Sequence, residues 1–113
     1  MTTKATQFVP QTMLSTTAVS LYTVPANVVA VIKDASVSNT SASSTVKLSI
    51  YNVSQSGSAN ATTQVTPGVA VAPNVVYPCA ELINKVLPAG SQIYAKDDTG
   101  GVSTIELSGV LIS

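Results

Sequence analysis

The chain has 113 residues, 45% hydrophobic and only 4% aromatic, with five Lys balanced by five Asp plus Glu and neither Arg nor His. That length supports one domain with a single core and no staples. Without His, Ser-His-Asp triads, Cys-His pairs and His-ligated metal sites are excluded together, and a formal net charge of zero leaves no basic footprint for nucleic acid.

The apolar set is Val, Ala, Ile and Leu among many Thr and Ser, which suits pleated, half-buried strands. No window carries a sustained helical stripe, so the chain is expected to be all-β. A surface of Ser, Thr, Asn and Gln in place of charge fits a protein packed into an assembly, because near-zero net charge gives little colloidal protection. Cys79 is the only cysteine and reads as a small buried apolar side chain. The N-terminus has no signal-peptide hydrophobic region, and the longest apolar run, Val28 to Ile32, is too short for a bilayer. Synthesis in a cytoplasm, with no membrane partner, is therefore expected.

Residues 1–17 are polar, with Phe8, Val9, Met13 and Leu14 scattered around Pro10. They read as an extended N-terminal arm, with at most a short edge strand near Thr12 to Ser15. Docking of this arm on its own sandwich or on a neighbouring subunit would explain the chain's only Phe.

Residues 18–113 read as the β-sandwich domain. Ala18 to Val24 is a strand that stops at Pro25-Ala26-Asn27. Pro presets the first corner of a turn and Asn tolerates the left-handed conformation that closes it. The same punctuation recurs at Val86-Leu87-Pro88-Ala89-Gly90, which points to two similar corners.

Val28 to Asn39 follows the first corner, with Val29, Val31, Ala35 and Val37 on one parity and Lys33-Asp34 interrupting. A charged pair in mid-strand marks a bulge or an edge. Asn39 to Ser44 is a loop by composition. Thr45 to Val53 carries the cleanest period-two signal, with Val46, Leu48 and Ile50 inward.

Ser54 to Thr63 is a low-complexity stretch expected as a mobile exposed loop. Val65 to Val71 is broken by Pro67-Gly68, and Pro73 and Pro78 confine their neighbours to edges or connections. Cys79 to Asn84 offers one helical turn or the start of a strand ending at Leu87. Ser91 to Lys96 and Val102 to Ile112 are strands around a hairpin loop at Asp97 to Gly101. The sum is about seven or eight strands, the pattern of a single antiparallel β-sandwich of jelly-roll type.

Catalytic equipment is sparse. Glu81, Asp97, Asp98 and Glu106 offer carboxylates, and Asp98-Thr99-Gly100 matches the tripeptide of aspartic proteases. Yet Ala95-Lys96-Asp97 precedes it in place of the apolar run that buries a catalytic aspartate, so the tripeptide reads as a turn. The Asp97-Asp98 pair reads likewise as a turn former ahead of a Ca²⁺ ligand. Asn39, Asn52 and Asn60 begin Asn-x-Ser/Thr triplets, which read as chance matches in a Ser/Thr-rich chain. Tyr22, Tyr51, Tyr77 and Tyr94 are expected at sheet rims with their hydroxyls in water; contact at an interface ranks second and a glycan platform third.

Ala-Val-Ser-Leu-Tyr-Thr-Val-Pro-Ala-Asn from Ala18, the run from Val28 to Ser41, and Val86-Leu87-Pro88-Ala89-Gly90-Ser91-Gln92-Ile93 with the closing strand resemble small β-sandwich modules of tailed-bacteriophage virion proteins. The resemblance covers Ala18 to Ser113. It departs at Asn27, where Gly is usual, and in the Pro-rich stretch from Pro67 to Pro78. It implies a non-enzymatic virion structural protein without cofactor, most specifically a capsid decoration or cement protein. The implied partners are other copies of the chain, as a trimer, and a major capsid or other virion protein. The alternative it leaves is a tail, connector or fibre module that binds a host receptor or glycan. The expected assembly contacts are Phe8, Val9, Met13, Leu14, Tyr51 and Tyr94.

Overall fold

Val46, Leu48 and Ile50 are fully buried while Lys47 is exposed, as period-two alternation requires of a strand with one face on a core. The computed structural model describes residues 2–113 and builds nine strands and a single 3₁₀ turn. The strands are β1 (Thr3–Met13), β2 (Val19–Thr23), β3 (Val29–Asn39), β4 (Val46–Val53) and β5 (Gln64–Val71), followed by β6 (Val76–Pro78). The 3₁₀ turn at Ala80–Leu82 comes next, then β7 (Val86–Leu87), β8 (Gln92–Asp97) and β9 (Ser103–Ile112).

All pairings are antiparallel. One sheet has the order β1-β9-β3-β6, with β7 also on β3; the other has the order β2-β8-β4-β5. Thus β1 pairs with β9, β2 with β8, β3 with β6 and β7, and β4 with β5. This nesting is one long hairpin rolled into two packed sheets, a jelly roll. β6 and β7 share one flank of β3 on either side of the 3₁₀ turn, so nine strands fill eight places.

The core lies between the sheets, with Ile32, Leu48, Ile50, Leu82, Leu87, Ile93, Ile105 and Leu107 fully buried. The expected division into an arm of residues 1–17 and a sandwich of 18–113 is not the one observed. β1 pairs with β9 from Thr3↔Ile112 to Met13↔Thr104 and buries Phe8 and Val9, while Leu14 just beyond it is equally enclosed. Enclosure explains why apolar side chains occur in an otherwise polar segment.

Bulges decide which side chains face in. Lys33 is the extra residue in β3, where the register to β9 slips between Ile32 and Asp34. The four residues of one parity are split accordingly: Ala35 and Val37 point inward, but Val29 and Val31 point outward, and Ala30 and Ile32 take their inner places. Gly109 lies under the bulge, where a Cβ would sit 2.0 Å from the Val31 carbonyl oxygen. In β2 a slip between Ser20 and Tyr22 turns Tyr22 inward opposite Ile93. Tyr22 packs on Phe8 with ring centroids 4.8 Å apart, and burial raises its pKa, in place of the rim position expected for it. Pro67-Gly68 does not break β5; the strand bulges there, with Gly68 at φ 65°, and forms an edge where the missing N–H of Pro67 costs nothing.

The two Pro-Ala corners meet at one end of the sandwich. Val24 N–H donates to the Ser91 carbonyl at 2.9 Å, and Gly90 N–H returns to the Val24 carbonyl at 3.0 Å. Asn27 and Gly90 both take positive φ, which makes these turns possible. At the opposite end Asn39, 2% exposed, donates its amide to the carbonyls of Ser44, Val71 and Ala72 and ties two connections together.

Candidate functional site

The outer face of the five-stranded sheet is apolar near the chain termini. Cross-strand partners share a face, and register places Val86, Val31, Val110 and Ala5 in one row across β7, β3, β9 and β1. The next row holds Val29, Ile112 and Thr3. Val86 is 61% exposed, and Val29, Val31, Val110 and Ile112 are half-buried without a layer above them. Farther along, the face turns polar through Asp34, Ser36, Ser108, Glu106 and Thr104. A shallow open depression of about 400 Å³ lies where the halves meet, lined by Ala5, Gln7, Lys33, Ser108 and Val110 among others. The bulge at Lys33 creates this patch by turning Val29 and Val31 to the outside.

The outer face of the four-stranded sheet differs. Tyr51 and Tyr94 lie directly opposite each other across β4 and β8, flanked by Gln64 and Ser20. Tyr51 is only 6% exposed, and its hydroxyl accepts from the Gln64 amide at 3.4 Å. Val53 on the same face is fully buried, because the connection after it folds back and brings Gly57 close to its side chain.

Of the six residues expected at assembly contacts, the structure therefore buries Phe8, Val9, Leu14 and Tyr51. Met13 is 55% exposed near the end of β1, and Tyr94 is half-buried. The outward valines were missed because Val29 and Val31 share numerical parity with the inward Ala35 and Val37. The mid-strand Lys33-Asp34 was the signal that could have found them.

Three of the five carboxylates, those of Glu81, Asp97 and Asp98, have structural duties. Asp97 is 1% exposed and accepts from the Ser103 hydroxyl, from Thr99 N–H at 3.1 Å and from Gly100 N–H at 2.5 Å, closing the hairpin loop. Asp98 accepts from Lys47 N–H at 2.8 Å, and that bond holds its carboxyl below the usual aspartate range. Glu81 on the 3₁₀ turn accepts from the buried Thr66 hydroxyl of β5 and from the Tyr77 hydroxyl of β6 at 3.1 Å, lacing the two sheets at their shared margin. Burial, then the neighbouring Glu81, pushes the Cys79 thiol from 9.0 up to about 12. Burial, then the hydrogen bond to Glu81, pushes the Tyr77 hydroxyl from 10.0 to about 12. Among the described residues, no group of three or more Cys, Asp and Glu is placed to hold a metal ion.

No protein-family model matches the chain, and no curated protein matches it in sequence. Among solved structures, one similar chain comes from the structure of infectious bursal disease virus Gx strain, at 12% identity and a TM-score of 0.46. The alignment covers 97% of this chain but 31% of that one, so the present chain spans less than a third of its length. A likeness this distant assigns neither a family nor a role.

Proposed function

We propose that the chain is a non-enzymatic structural protein of a virion, most specifically a bacteriophage decoration or cement protein that covers the head as a homo-oligomer. One observation carries this reading: a jelly roll in which Glu81, Asp97 and Asp98 hold loops and sheets presents an uncovered row of Val86, Val31, Val110 and Ala5, continued by Val29 and Ile112. Contiguous exposed apolar patches of this kind mark interaction surfaces, and the neutral composition suits a chain that spends its life packed against neighbours. Docking through an uncharged face also makes binding insensitive to salt, since few charges are screened.

The test is co-sedimentation of the purified chain with empty phage heads, for the wild type and for Val31→Lys/Val110→Lys. Both positions face outward and leave the core untouched, and the variant's urea midpoint is read alongside to separate lost binding from the repulsion of two lysines set opposite each other. The expected result is stoichiometric, salt-resistant binding by the wild type and a loss of at least about tenfold in the variant, the effect of burying an unpaired charge. Wild-type protein that leaves heads unbound but binds tails, host cells or a glycan array would replace this reading with a tail or receptor-binding module.

A further inference from the structure

The backbone of β1 points in known directions. Thr2 and Ser113 exchange both main-chain hydrogen bonds at 2.9 Å. Hydrogen-bonded and non-hydrogen-bonded pairs alternate along an antiparallel ladder. In the register beyond that pair, Thr3↔Ile112, Ala5↔Val110 and Gln7↔Ser108 are therefore the non-hydrogen-bonded pairs. Thr3, Ala5 and Gln7 thus aim their N–H and C=O groups away from β9, at the open edge, whereas Lys4 and Thr6 aim theirs at β9. The ladder is regular up to Gln7 and slips only beyond it.

The other edges are defended. β5 carries Pro67 and two register slips, and β6 and β7 are pieces of three and two residues. β2 is five residues with a bulge of its own. The first five residues of β1 are flat, exposed or nearly so, and carry Lys4 as their single charge. Such an edge is a template for another strand.

We propose that a second copy of this chain pairs along this edge, antiparallel about a two-fold axis at Ala5, fusing the two sheets into one. In that register Ala5 meets Ala5 of the second copy, and Thr3 meets its Gln7. Every outward-aimed group then meets another, and each of the three pairs exchanges two main-chain hydrogen bonds. Lys4 lies opposite Thr6 of the second copy, so no like charges oppose. The row Val86, Val31, Val110 and Ala5 runs on across the axis, doubling the apolar face that docks on the particle. The inference rests on the homo-oligomer reading above and names its contact, an isologous one that closes at two copies. A ladder this short buries well under the about 1,200 to 2,000 Å² of a standard interface, so the free dimer is weak and concentration-dependent, and a lattice strengthens it by holding copies close.

Amide hydrogen exchange at micromolar and at millimolar concentration tests it. The expected result is protection of the Thr3, Ala5 and Gln7 amides that rises severalfold with concentration, while Lys4 and Thr6 stay protected throughout. Ala5→Pro removes an edge-facing N–H and no bond to β9; it is expected to remain monomeric with Lys4 and Thr6 still protected. Free exchange of the three amides in millimolar wild type, or an Ala5→Pro protein that dimerises like the wild type, overturns the pairing. Edge pairing in a protein that ignores phage heads would keep this contact and discard the virion reading. Head binding with the three amides unprotected in solution at millimolar concentration would do the reverse.

Discussion

Gly109 is the residue on which the sheet geometry turns. A methyl group there would meet the Val31 carbonyl oxygen at 2.0 Å, with the Phe8 ring at 2.9 Å and the Lys33 nitrogen at 3.0 Å. Backbone cannot yield as a side-chain tip can, so Gly109→Ala is expected to cost about 3 kcal/mol or more, read from the midpoint of a urea transition. Glu81 carries a second local consequence. Removing its carboxylate in Glu81→Ala strands the Thr66 hydroxyl, fully buried, and is expected to cost about 1–3 kcal/mol in the same assay. The neighbouring thiol and phenol define a pH window. Cys79 and Tyr77 have folded-state values near 12, raised from 9.0 and 10.0, so the fold favours their neutral forms. Their contribution is fully present below about pH 9 and is lost as pH rises toward 12. Stability is expected to be flat through neutrality and to fall across that window. Native Cys79 is expected to resist iodoacetamide at pH 8 and to react on unfolding; rapid native-state alkylation would contradict its enclosure.

Among the elements, the inward face of β4 was legible, because Val46, Leu48 and Ile50 alternate without interruption, whereas the burial of Tyr51 and Val53 on its other face comes from neighbours outside the strand. The turns were legible too, since Pro25-Ala26-Asn27 and Pro88-Ala89-Gly90 are local chemistry. Lys33-Asp34 announced a bulge or an edge but not that it inverts parity mid-strand, and what the sequence hid were that inversion, the bulge in β2 and nearly all of β1. β1 places Phe8 and Val9 consecutively in the core and slips register on either side of Val9, so no simple period marks it. Its membership in the sheet makes β1 part of the fold and not a detachable arm. Removing residues 1–13 takes Phe8 and Val9 from the core and uncovers β9, so the remainder is expected to lose cooperative unfolding and dispersed amide resonances. Phe8→Ala alone is expected to cost about 3–5 kcal/mol, the range for an emptied aromatic site. A truncated chain that melts like the full one would return β1 to the status of an arm.

At the scale of the molecule, composition announced two packed sheets but not their outer surfaces. Strand propensity and turn spacing specify how many strands must pack, whereas the apolar outer row depends on a single inserted residue. The expected contacts fell largely in the core for that reason: an isolated apolar side chain in a polar segment reads equally as an anchor for a neighbour or as a lid on its own sandwich. The structure resolves the ambiguity toward the core for Phe8, Val9 and Leu14, and leaves the valines of β3 and β9 facing outward. Quantitative mass spectrometry of gradient-purified particles of a virus that encodes this chain tests the proposed role most directly. The expected result is co-migration with the major capsid protein at a fixed, high copy number per particle that survives a salt wash. A chain found only in the soluble lysate, with none in the particles, would contradict it.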